Sequence, residues 1–223
     1  MPRGNTAVIL RRGAVASLIG VFLLVASCSM ATGSGTPATE NRPVSGFSNV
    51  ELSGSGELII EQTGTESLTI EADDNLLPLL TSEVSGDTLH LGVRPNTSLR
   101  PRTPIIYRLT VSQLAGLELS GSSAVTASKI QADRLRVEIS GSGRITVTGD
   151  VVDQELEISG SGGYRADQLL SRTLRARISG SGNADVNVTE SLDVDISGSG
   201  SLTYQGDPRV SQQISGSGEL IKA

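Results

Sequence analysis

The chain has 223 residues, 26 of them Gly, with 37% apolar and only 2% aromatic residues and no Trp, so a core has to be layered from Val, Ile, Leu and Ala and not from large rings. Apolar residues interleave regularly with polar ones, which excludes a disordered linker. Lys and Arg number 18 against 24 Asp and Glu. Arg3, Arg11 and Arg12 precede the cleavage point argued below, which leaves 15 against 24 and a net charge of −9; such a surface repels phosphate backbones and excludes nucleic acid as an expected partner.

Residues 1–27 read as an export signal, with Arg3, Arg11 and Arg12 as the basic segment and Gly13 to Val25 as an apolar stretch too short to span a bilayer. That stretch runs into Val25-Ala26-Ser27-Cys28, which resembles the lipobox of bacterial lipoproteins. The resemblance implies that Cys28, the only cysteine, is lipidated, becomes the mature N-terminus and holds the protein at a membrane without crossing it. Otherwise Cys28 is an ordinary apolar residue near a plain Ala-x-Ala type cleavage site. Ser29 follows, and not Asp, which by the sorting rule of enteric bacteria favours the outer membrane or cell surface. Residues 28–43 are small, polar and Pro-containing without apolar periodicity, so they are expected to form a flexible tether.

The folded part is expected over 44–223. Its unit is an alternating run closed by Ser-Gly-Ser-Gly, seen in Leu135-Arg136-Val137-Glu138-Ile139-Ser140-Gly141-Ser142-Gly143. The leading serines stand at Ser53, Ser120, Ser140, Ser159, Ser179, Ser197 and Ser215, the last five intervals being 20, 19, 20, 18 and 18 residues. A fixed period of this length signals stacked repeats. The 67-residue interval from Ser53 to Ser120 still alternates, as in Leu68–Ala72, Thr88–Val93 and Ile106–Val111, and has room for three further coils with degenerate corners. Pro78, Pro95, Pro101 and Pro104 mark turns there, and Leu76–Leu80 reads as one short helical turn.

Within the unit Leu135, Val137 and Ile139 point inward and Arg136 and Glu138 outward, and the same holds for Leu156 and Ile158, for Leu174, Ala176 and Ile178, and for Leu192, Val194 and Ile196. The glycines let the chain turn a corner before a second strand such as Ile145–Val147 resumes, and the serine hydroxyls are available to bond neighbouring coils or turn backbone. The fold class expected is all-β, a parallel β-helix-like solenoid of about 18–20 residues per coil. Right-handed winding is favoured, because no six-residue period is visible. Aligned on the first serine, Arg136, Glu155, Arg175 and Asp193 form a row of alternating sign; Glu118, Glu138, Glu157, Arg177, Asp195 and Gln213 form a second. Opposite charges on adjacent strands support a parallel register by about 0.2–1 kcal/mol each.

An export and lipidation signal, an N-terminal Ser-Gly-Ser-Gly strand, Asp73-Asp74-Asn75-Leu76-Leu77 before a strand pair, and serial Ile-Ser-Gly-Ser-Gly coils occur here in order. Over residues 46–221 the chain thereby resembles the bacterial family of unknown function described as a putative autotransporter adhesin head, or GIN, domain. The resemblance implies a β-helical solenoid and carries no catalytic residues.

The residues offer little chemistry of their own. His90 alternates with Leu89 and Leu91 and is expected to face solvent. One cysteine supplies neither a disulfide nor a zinc cluster. Ser-Gly-Ser-Gly is followed by a strand where a phosphate loop needs a helix, and it lacks the Asp of calcium-binding nonapeptides. No catalytic, cofactor or metal residue is therefore expected. Asp185, Asp193 and Asp195 near Arg175 and Arg177 are the candidates if the chain were a polysaccharide lyase or hydrolase; the plainer reading is a solvated charge ladder. Asp73 and Asp74 read as the start of a turn. The expectation is thus a non-enzymatic envelope lipoprotein, a scaffold or adhesin-like head, with a membrane, an envelope protein or a glycan as partner, and self-association through open coil ends.

Overall fold

The structure, a computed structural model, describes Met1 and residues 29–223; the expected signal peptide and Cys28 lie outside the described residues. Alternation of apolar and polar residues dictates strands, and those described are β1 (Ser29–Thr32), β2 (Pro37–Arg42), β3 (Asn49–Gly54), β4 (Glu57–Gln62), β5 (Ser67–Asp73), β6 (Leu80–Ser85), β7 (Thr88–Val93), β8 (Thr97–Arg100), β9 (Ile106–Val111), β10 (Gly116–Gly121), β11 (Ala124–Gly141), β12 (Arg144–Gly160), β13 (Gly163–Gly180), β14 (Asn183–Gly198), β15 (Ser201–Gln205), β16 (Arg209–Gly216) and β17 (Glu219–Lys222). The short helical turn expected at Leu76–Leu80 is a 3₁₀ turn, Leu77–Leu79.

From β10 onward each repeat is one coil of a parallel solenoid, stacked in about five turns. Side one is the stretch before the Ser-Gly corner, where Leu117, Val137, Leu156, Ala176, Val194 and Gln212 stand in register on successive coils. Side two follows the corner, with Val125, Ile145, Tyr164, Ala184 and Leu202 in register. Side three closes the coil, and the register shifts of the three long pairings fall there, between Ala127 and Ile130, Thr146 and Gly149, Ala166 and Leu170, and Ser171 and Thr173. The 18-to-20-residue variation in repeat length is absorbed on this side, so sides one and two stay aligned.

The two glycines of the corner have different reasons. Gly160 lies at φ +114, and a Cβ there would stand 2.6 Å from the Gly141 carbonyl oxygen of the coil below. Gly162 is needed for packing, since a Cβ would meet the Ile139 Cγ2 at 2.5 Å. The expectation that serine hydroxyls tie the coils is corrected: the tie is backbone, with Ser142, Ser161, Ser181 and Ser199 N–H groups donating to the glycine carbonyls below at 2.8–2.9 Å. Ser123 is an exception. It replaces the second glycine, is buried, and its hydroxyl donates to the Gly54 carbonyl at 2.6 Å.

The core is one continuous ladder drawn from residues 38–220. Leu135, Val137, Ile139, Leu156, Ile158, Leu174, Ala176, Ile178, Leu192, Val194 and Ile196 are all buried as expected, each Leu or Ile contributing roughly 1.5–3 kcal/mol. The exclusively aliphatic core is corrected by Phe47, Tyr107 and Tyr164, which are buried as well.

Two further expectations fail at the N-terminal base. The segment between Ser53 and Ser120 is not three more coils in sequence order. β7 and β9 form one coil beneath β3 and β4, parallel to them, while β5 and β6 run antiparallel to β9 and β7 and close the stack from below. Nor do residues 29–42 form a free tether: β2 extends the base antiparallel to β5, and β1 pairs in parallel with β8 as a separate two-stranded ribbon. Side-chain clamps from distant residues, described next, hold this otherwise featureless segment. At the opposite end β16 exposes Val210 and Ile214, which occupy inward positions.

Candidate functional site

Side one presents the two outward rows expected from sequence, because strand alternation puts every second residue outside and the Ser-Gly corners hold the coils in register. Arg136, Glu155, Arg175 and Asp193 are consecutive partners across β11–β14, and so are Glu138, Glu157, Arg177 and Asp195. The charges bridge the coils. Arg136 reaches Glu155 at 3.3 Å and Glu157 at 3.9 Å besides Glu138 on its own strand at 2.5 Å, Arg175 reaches Asp193 at 3.5 Å, and Arg177 reaches Glu155 at 3.8 Å. Exposed pairs of this kind contribute about 0–1 kcal/mol each; their larger effect is to leave a patterned surface whose arginines are bridged to carboxylates. Where side three meets side one, an open groove of about 400 Å³ is lined by Arg134, Asp153, Glu155, Thr173, Arg175 and Asp193.

The floor of this groove is a buried polar group that sequence reading missed. Gln154, also in the groove lining, donates its amide to the Tyr164 hydroxyl at 2.5 Å and accepts from the Ser171 hydroxyl at 2.7 Å. All three are buried, and burial pushes the Tyr164 hydroxyl well above its ordinary pKa. The available signal was a Gln at one inward-reading position and, on the next coil, a Ser at another, opposite Val151.

The second row continues toward the base as Glu118, Glu51 and His90, so Glu157, Glu138, Glu118 and Glu51 are four carboxylates on successive coils. Partial burial, then Glu51 and Glu138, hold the Glu118 carboxyl above its ordinary value, against the opposing pull of His90 and Arg136. His90 is half exposed, as expected, and has a partner that was not foreseen: its Nδ1 lies 2.6 Å from Glu51 Oε2. Among the described residues no group of three or more His, Cys, Asp or Glu is placed to hold a metal ion.

The hypothetical hydrolase cluster does not assemble. Asp193 and Asp195 face Arg175 and Arg177 on side one, but Asp185 stands on side two between Arg165 and Thr203. Asp73 and Asp74 do more than start a turn. Asp73 is buried and accepts the N–H groups of Gly35 at 2.7 Å, Arg102 at 2.8 Å and Thr103 at 3.2 Å. Burial raises its pKa, but the N–H donors of Arg102, Thr103 and Gly35 outweigh that and hold it below the usual value. Asp74 accepts from the Ser34 hydroxyl, and Asn75 bonds both the Thr32 carbonyl and the Ser34 N–H. These three residues clamp the β1–β2 segment to the base.

Several solved structures share this architecture. A "putative lipid binding protein" from Parabacteroides distasonis is 26% identical, with 87% of this chain and 100% of that one covered at a TM-score of 0.57. A "putative adhesin" from Bacteroides fragilis is 23% identical, with coverage of 86% and 100% and a TM-score of 0.68; another from Parabacteroides distasonis is 21% identical, with coverage of 87% and 100% and a TM-score of 0.58. No curated protein matches the chain. The family described as "Putative auto-transporter adhesin, head GIN domain" matches residues 46–208, most of the solenoid, and the chain belongs to that family.

Proposed function

We propose that the chain is a non-enzymatic head of the cell envelope, exported, anchored through lipid on Cys28 at the outer membrane or cell surface, and binding a glycan or an envelope protein along side one. The observation that carries the reading is the charge ladder itself. It is long and regular, its arginines are bridged to carboxylates, and Asp193 and Asp195 each stand opposite an arginine where a hydrolase or lyase needs carboxylates converging on a cleft. Paired Arg and carboxylate groups at coil spacing, with hydroxyls of Thr173 and Ser191 in the adjoining groove, suit the hydroxyls and charges of a polymeric ligand. The family description and the adhesin names of the similar structures support a binding role; the sequence Val25–Cys28 supports the anchor.

The test is glycan-array and whole-cell binding by the chain from Ser29 onward, with polysaccharide cleavage assayed on the same plates. Saturable binding that is weakened several-fold by R175Q supports the reading. Turnover of any polysaccharide overturns its non-enzymatic part, and binding untouched by R175Q and R136Q removes side one as the site.

A further inference from the structure

The charge of this acidic protein is unevenly placed. Residues 88–117 contain no Asp or Glu but hold Arg94, Arg100, Arg102 and Arg108, and residues 29–39 are also free of acids. Arg108 is paired with Glu71 at 2.8 Å on side two. The other three lie on and around β8, are exposed, and form no ion pair among the described residues. The Arg102 guanidinium donates to the Ser34 carbonyl, at 3.4 Å. Of the acids in contact with this segment, Asp73 is buried and occupied by backbone N–H groups, and Asp74 is occupied by Ser34.

The strand that pairs with β8 is β1, and β1 starts at Ser29, the residue covalently next to Cys28. Its pairing begins at once: the Ser29 N–H donates to the Asn96 carbonyl at 2.9 Å, and Gly33 N–H to the Arg100 carbonyl at 2.9 Å. In this register Met30 stands opposite Ser98 and Thr32 opposite Arg100, so the four share one face of the ribbon. All four are exposed, Met30 to 61%. A free tether of the sixteen residues 28–43 would have spanned on the order of 20 Å. The ribbon leaves a single residue between a lipid on Cys28 and a strand fixed to the solenoid base.

We propose that the β1–β8 ribbon, with Arg94, Arg100, Arg102 and the exposed Met30, is a docking surface for anionic phospholipid headgroups, seating the solenoid base-down on the bilayer. The proposal rests on the lipid-anchor reading for the ribbon's closeness to the membrane, while the chemistry of the patch stands on its own residues. Arginine forks match phosphate oxygens, and an exposed apolar side chain among them suits the headgroup boundary. The acidic coils beyond the base are repelled by the same surface, which selects one orientation. Near an anionic membrane each arginine strengthens binding roughly fivefold, and three on the order of a hundredfold.

The test uses the chain from Ser29 onward, which holds the whole described core, in flotation with vesicles of phosphatidylcholine alone and of phosphatidylcholine and phosphatidylglycerol in equal parts. Wild type should float with the anionic vesicles alone and be released when salt shortens the Debye length to about 3 Å. R94Q/R100Q/R102Q should bind on the order of a hundredfold more weakly. R165Q/R175Q/R177Q, which removes the same charge from sides one and two, should bind within a few-fold of wild type. R94Q/R100Q, which leaves the Arg102 contacts intact, guards against misfolding of the triple variant and should show most of the loss. Failure of wild type to bind, equal losses in both triple variants, or retention on heparin without vesicle binding overturns the proposal. The anchor is read separately, from the mass of the mature N-terminus of the exported full chain beside C28S; an unlipidated Cys28 removes the anchor and leaves the vesicle result standing.

Discussion

Replacing Gly160 by Ala while leaving every other glycine in place sets the corner geometry against the general weakness of glycine in strands. Gly160 sits at φ +114, and the added Cβ would lie 2.6 Å from the Gly141 oxygen and 3.3 Å from its carbonyl carbon and nitrogen, all backbone atoms of the next coil. The positive φ costs about 1–2 kcal/mol for an L-residue. Opening the contact stretches the bonds from Ser161 N–H to Gly141 and from Ser181 N–H to Gly160, both 2.8 Å, each contributing about 0.5–1.5 kcal/mol. The sum expected is about 2–5 kcal/mol of destabilisation. Gly163, three residues on, begins β13; a Cβ there meets nothing nearer than the Arg144 Nε at 3.6 Å, so G163A should stabilise by about 0.5–1 kcal/mol. Urea unfolding of the two variants, compared at unchanged slope, reads the difference directly. A G160A midpoint matching wild type, or equal shifts in both variants, would refute the corner argument.

The buried polar group yields a second expectation. Y164F strands the Gln154 amide and should cost about 1–3 kcal/mol in urea unfolding, while Y164F/Q154L/S171A, which removes all three polar partners, should recover at least half of it; a triple variant less stable than the single one contradicts this. E118Q should raise stability near neutral pH. Because the Glu118 carboxyl titrates above its ordinary 4.5, its folded form binds the extra proton, so its contribution falls as pH rises through that window; E118Q should therefore flatten the decline in urea midpoint above pH 4.5, and an unchanged profile counts against the carboxylate row. D73A should speed amide exchange across residues 29–42 without affecting β12–β14. In wild type the Asp73 contribution is present above its ordinary 3.8 and is lost only as pH falls through the lower folded value, so protection of the ribbon should persist at pH 4; uniform exchange changes over the whole chain would contradict the clamp.

The coils were legible because one local phrase carries everything that determines them: alternation sets the inward ladder, and two glycines set the corner. Side one could even be aligned between coils from the position of its serine. The base was not legible for the same reason. β5, β6 and β9 alternate like coil strands, and alternation says nothing about whether a partner runs parallel or antiparallel, or which coil lies beneath which. Residues 29–42 carry no apolar period at all, and what fixes them are Asp73, Asp74 and Asn75, some forty residues away. The same distance hid the Glu51 partner of His90, 39 residues apart in sequence and adjacent only once β7 is known to lie under β3. Asp185 lies close to Asp193 and Asp195 in sequence, yet a coil places residues eight to ten apart on different sides.

Neutron reflectometry of the lipidated full chain on a supported bilayer containing phosphatidylglycerol tests the membrane-seated solenoid most directly. The column of side one holds nine strands, from β6 through β16, which at about 4.8 Å per step stand about 38 Å tall. The account predicts a protein layer of about that height or slightly more, beginning at the headgroups with no solvent gap. A layer lifted from the bilayer by a gap on the order of 20 Å, the reach of a free tether, or a markedly thinner layer from solenoids lying flat, would contradict it.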